Sequence, residues 1–141
     1  MGITFALLAG LLMSVQGVFN TRVMESSSMW SANIWIQLSA LIVTIIIWLA
    51  FDTKNIFSVF SVSNKLYLLG GVIGAFITFT VIKSIGKLGP AEATMLILIA
   101  QVTVAYAIEF FALFGTDKGT FEISKLIGLI IMIAGIIIFK K

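Results

Sequence analysis

The chain contains no cysteine and no histidine. Without cysteine there is neither a disulfide framework nor a thiolate metal site. Without histidine the commonest metal ligand and the usual general base are missing. Only 11% of the residues are charged, six of them acids, too few to furnish a soluble-type active site. The reading is therefore a non-enzyme with no cofactor and no metal. There is no phosphate-binding loop, and no soluble segment to host nucleotide hydrolysis. The net charge of +3 carries no signal for nucleic acid, because the basic residues sit mostly at the ends of apolar runs, where they meet water and headgroups. Proline occurs once, at Pro90, where it suits the first turn of a helix.

What the chain has in excess is apolar surface. It is 60% hydrophobic with a mean hydropathy of +1.18, more than a soluble domain of 141 residues could hide. The class is an all-α integral membrane protein. We expect one transmembrane domain over residues 1–141 with five transmembrane helices, at about 3–20, 31–51, 66–85, 90–114 and 123–139. The first lacks a basic leading region and is interrupted by Gly10, Ser14, Gln16 and Gly17. That pattern marks a retained helix rather than a cleaved leader. Trp30, Trp35 and Trp48 fall toward the ends of the second, as interfacial anchors do.

The fourth segment carries the strongest pattern. At about 100° per residue, Ala91, Thr94, Gln101, Ala105, Glu109 and Ala112 share an arc of roughly 80°. A small and polar stripe of this kind admits another helix or lines a wet cavity. Gln101 lies near mid-membrane, where an amide serves as interhelical glue or as a substrate contact. Glu109 is placed about five residues from the helix end, either as a cation or proton site or as an interfacial carboxylate reaching water. Gln16 and Asn20 in helix 1, with Asn33 and Gln37 in helix 2, either line the other end of the same cavity or are packing amides. Gly70, Gly71 and Gly74 form small-xxx-small patterns that permit close helix crossing. Gly128 and Gly135, seven apart, read as packing residues of a fifth helix devoted to dimer contact or lipid.

Five crossings put the termini on opposite sides, and the basic residues then divide almost evenly. Lys54, Lys65, Lys118 and Lys125 face one side; Arg22, Lys83, Lys87, Lys140 and Lys141 face the other. Two readings stay open. Orientation is set by one local signal such as Lys140–Lys141, or by a partner; alternatively, copies insert both ways and pair antiparallel. Inverted repeats around a midplane site are a common transporter architecture.

The run Val81-Ile-Lys-Ser-Ile-Gly-Lys-Leu-Gly-Pro-Ala-Glu-Ala-Thr, followed later by Leu126-Ile-Gly-Leu-Ile-Ile-Met-Ile-Ala-Gly-Ile, resembles the drug/metabolite transporter superfamily. A five-helix unit with Gln16, Asn20, Gln101 and Glu109 looks most like its half-size YdcZ-type family, and more distantly like the small multidrug resistance proteins. The resemblance implies half of a ten-helix transporter, completed as an antiparallel, dual-topology homodimer in the cytoplasmic (inner) membrane. Gly128 and Gly135 match glycines of the last helix, which packs dimers in the small multidrug resistance proteins. Those proteins also carry a carboxylate in helix 1. Here that region reads Gly10-Leu-Leu-Met-Ser-Val-Gln-Gly, so no acid carries over.

The expected function is a secondary-active transporter of a small polar or anionic solute, with the lipid bilayer and a second copy as its partners. A non-transporting scaffold, one member of a hetero-pair, and a lipid-headgroup flippase stand as alternatives.

Overall fold

The computed structural model describes residues 1–52, 54–120 and 122–139. Among them the secondary structure is entirely helical: α1 Gly2–Glu25, α2 Met29–Phe51, α3 Gly70–Leu88, α4 Pro90–Phe110 and α5 Ile123–Phe139, with short 3-10 turns between. In lipid a chain must satisfy its own backbone groups, and helices do so within each segment. Four stretches are long and apolar enough to cross a bilayer: Gly2–Glu25, Met29–Phe51, Lys65–Leu88 and Pro90–Phe110. The fifth helix is shorter, 17 residues or about 26 Å, at the lower limit for spanning. The closing pair Lys140–Lys141, invoked above for orientation, lies outside the described residues.

Helix ends depart from the sequence expectation for local reasons. α1 continues five residues past Asn20 because its last turn is stitched by Arg22 and Glu25, 2.8 Å apart. The hydroxyls of Ser26 and Ser27 donate to the carbonyls of Arg22 and Val23. Ser28 then caps α2 by accepting from the Ser31 amide at 3.2 Å, so three serines join two helices. Ahead of α3, Asn55 and Asn64 each cap a 3-10 turn, Ile56–Ser61 and Lys65–Leu69, by accepting an amide two residues on. α3 proper therefore begins at Gly70 rather than Leu66.

The largest correction concerns α4, which ends at Phe110 instead of Phe114. Ala112 and Phe114 take left-handed backbone conformations, φ 50° and 56°. The chain folds back so that the Gly119 amide donates to the Glu109 carbonyl at 2.9 Å. Thr116 donates its hydroxyl to the carbonyls of Ile108 and Leu113. The carbonyls left open at a helix end are met locally, and Glu109 stands in the last turn.

The chain forms two compact units, Met1–Gly86 and Lys87–Lys141. The first is tight at one end only. Its buried residues, Gly17, Thr21, Ala32, Asn33, Ile36, Ile82 and Ile85, come from the C-terminal half of α1, the N-terminal half of α2 and the C-terminal half of α3. Ile85 packs so closely on Gly17 that a Cβ there would stand 2.6 Å from Ile85 Cδ1. At the opposite end Val72, Ile73, Phe76 and Ile77 of α3 are more than half exposed. In the second unit α4 packs against α5.

Candidate functional site

The polar residues of the first unit converge where α2 meets α3. Asn33 and Gln37 stand one turn apart on α2. Asn33 Nδ2 donates to the Ala75 carbonyl at 3.1 Å, and Gln37 Nε2 donates to Thr78 Oγ1 at 3.3 Å. The Thr78 hydroxyl in turn donates to the Gly74 carbonyl at 3.0 Å. The Ala75 carbonyl is reachable because Gly74 and Ala75 have little side chain to cover it. One turn earlier on α2, Trp30 stacks on Phe79 with ring centres 5.1 Å apart, and the Lys83 ammonium lies 5.0 Å from the centre of the Phe79 ring.

Asn33 is the unusual member. It is only 5% exposed, and its Oδ1 is buried with no hydrogen-bond partner among the described residues. Turning the amide over would set that oxygen against the Ala75 carbonyl, acceptor against acceptor, so the orientation is fixed. A buried acceptor left unmatched is unfavourable by about 1–3 kcal/mol. Such a buried atom is a place where a donor from a ligand or a partner is favoured.

The other expected residues are arranged differently. On α1, Gln16 is exposed and Asn20 half-buried; neither side chain is hydrogen-bonded among the described residues, so no hydrogen bond there joins them to Asn33 or Gln37. Thr94 turns back on its own helix, donating to the Pro90 carbonyl at 2.7 Å. Gln101 is exposed and lies outside the cavity walls between α4 and α5. Glu109 does line that space, with Tyr106 and Lys125. A Cβ added at Gly70, Gly71, Gly74, Gly128 or Gly135 would meet no atom within 4 Å, so none of these glycines makes a close crossing among the described residues. Gly17 and Gly86 do face neighbours: Gly86 is opposite Met24 and Thr21.

Sequence reasoning passed over Thr78, Tyr106 and Lys125 as site residues. Thr78 had a signal, standing four residues after Gly74 as Gln37 stands four after Asn33. Tyr106 had none: its hydroxyl accepts from the Glu122 amide at 3.3 Å, a contact made across a loop. Among the described residues no cluster of His, Cys, Asp and Glu could hold a metal ion.

A family model described as "Putative inner membrane exporter, YdcZ" matches residues 1–138. No curated protein and no solved structure matches the chain.

Proposed function

The chain belongs to this YdcZ-type family of the drug/metabolite transporters and is a multi-pass inner membrane protein, and from that premise we propose that it is one protomer of a secondary-active transporter. In this reading each copy crosses the membrane five times, with α5 as the short fifth span. Two oppositely inserted copies then make an inverted repeat of ten helices around a polar crevice. The substrate is a small polar or anionic solute, drawn by amides rather than by an acid in helix 1.

The observation that carries the reading is Asn33. Its amide bonds α2 to α3 while its buried Oδ1 has no donor. Interhelical hydrogen bonds in membranes average only about 0.6 kcal/mol. The Asn33 and Gln37 contacts can therefore be exchanged for bonds to a polar solute at little net cost, as alternation between two conformations requires. Nearly even loop charge supports insertion in both orientations. Gln16, Asn20 and Gln101, which lack hydrogen-bond partners among the described residues, are assigned to the crevice wall of the assembled pair.

Topology tests the pairing directly. Native cysteine is absent, so one cysteine appended after Lys141 can be labelled in intact cells with a membrane-impermeant thiol reagent. About half should label before lysis and the rest only afterwards. Labelling from one side alone would sink the antiparallel homodimer.

A further inference from the structure

Between α2 and the spanning stretch Lys65–Leu88, the 3-10 turn Ile56–Ser61 carries apolar side chains that nothing among the described residues covers. With three residues per turn, side chains three apart eclipse one another, so the turn has three edges. Ile56 and Val59 form one, Phe57 and Phe60 the second, and Ser58 and Ser61 the third. All six are exposed, with Phe57 at 70% and Phe60 at 59%. The turn is amphipathic, apolar on two edges and polar on one.

Hydrogen bonds fix the level at which it stands. α2 runs for 23 residues, about 34 Å, against a hydrocarbon core of ~30 Å, so its end at Phe51 emerges at the headgroups. Trp48, placed as an interfacial anchor, donates its indole N–H to the Lys54 carbonyl at 3.2 Å. At the other end Lys65, where the next spanning stretch begins, donates from its ammonium to the Phe60 carbonyl. Both ends of the turn are thus held by residues at the level where the chain leaves and re-enters the bilayer. Its first amides are also met. Asn55 accepts from Phe57 through its side chain and from Ser58 through its carbonyl, each at 2.9 Å, which reduces the cost of leaving water.

Shape and charge favour lipid over a second copy. The two apolar edges take up about two-thirds of the circumference of the turn. A rigid protein face meets one side of such a cylinder, whereas fluid acyl chains close around both edges. Lys54 and Lys65 flank the turn, and neither forms an ion pair among the described residues. A second copy joined here by a two-fold contact would set these cations against their own counterparts, and an inverted copy would bring its Lys83 to the same side. Like charges oppose both contacts, while anionic headgroups complement the lysines.

We propose that the Ile56–Ser61 turn is an interfacial membrane anchor. It lies along the bilayer surface with Ile56, Phe57, Val59 and Phe60 among the acyl chains just below the headgroups, and with Ser58 and Ser61 toward water. The anchor rests on residence in the membrane and not on the transport reading.

Nitroxide scanning tests it, since native cysteine is absent. Full-length Phe57→Cys, Ser58→Cys, Phe60→Cys and Ser61→Cys variants are spin-labelled singly in vesicles of phosphatidylethanolamine and phosphatidylglycerol. Collision rates are then measured with oxygen, which concentrates among acyl chains, and with a neutral water-soluble nickel chelate present on both sides of the membrane. The oxygen-to-nickel ratio should be several-fold higher at positions 57 and 60 than at 58 and 61. Equal ratios dominated by nickel at all four positions would put the turn in water and overturn the anchor. Low collision rates with both reagents at 57 and 60 would also overturn it, because a second copy then covers the patch. Where a phenylalanine variant does not accumulate in membranes, Ile56→Cys and Val59→Cys give the same decision from the other apolar edge.

Discussion

The closed end of the α1–α3 bundle and the α4–α5 pair use the same residue type to opposite ends. At the closed end Gly17 removes a side chain so that Ile85 can press against α1, and the space is filled. Between α4 and α5, Gly128 and Gly135 remove side chains and the space stays open. Polar groups follow the same division. Asn33 is buried and engaged with a backbone carbonyl, whereas Glu109 and Lys125 stand at a mouth beside an apolar trough. A small residue in a membrane helix therefore identifies a close approach or a vacancy only when its neighbour is known.

Variants can break this contrast. The largest effect is expected from Asn33→Asp, which sets a carboxylate against the Ala75 carbonyl in a buried site. It should destabilise the folded protein by about 3 kcal/mol, read by unfolding in detergent; a change within error would mean that the junction is open to water.

Next come the glycines as a pair. Gly17→Leu overpacks the contact with Ile85 and should be destabilising by about 1–3 kcal/mol. Gly135→Leu meets open space and should stabilise its helix by about 0.5–1 kcal/mol through backbone entropy. Thermal unfolding of the two side by side sharpens the comparison, and equal losses at both positions would dissolve it.

The smallest effect belongs to the Gln37–Thr78 hydrogen bond. Gln37→Ala and Thr78→Val should each be destabilising by about 0.6 kcal/mol. The double variant should be little worse than either, because the two changes remove one interaction. Strict additivity in that cycle would show that the two side chains act separately.

The places of the helices along the chain were largely legible. Runs without charge announce helices, and the serines of 26–28 and the single proline mark where helices stop and start. The end of α4 was not legible. Phe110, Phe111, Leu113 and Phe114 continue an apolar run, and nothing in their hydropathy foretells that Ala112 and Phe114 take left-handed conformations. That turn leaves Glu109 next to the last residue of its helix, Phe110, where about five further residues were expected. The pairing of Asn33 with Ala75 was half legible: the amide advertised a need for a partner, but a backbone carbonyl leaves no sequence signature.

Composition and the length of the uncharged apolar runs together determined that this protein lives in a bilayer and is built of helices, because runs of about 20 residues fit a spanning helix, which satisfies its own backbone, and not a spanning strand. The family resemblance was likewise written in the sequence, in the turn before Pro90 and the glycines of the last helix. Tertiary structure decided which small residues meet a neighbour, which amide is buried, and where a carboxylate sits along its helix. Periodicity assigns a residue to a face, but what lies opposite that face depends on how separate segments pack, and packing is fixed by side chains distant in the chain.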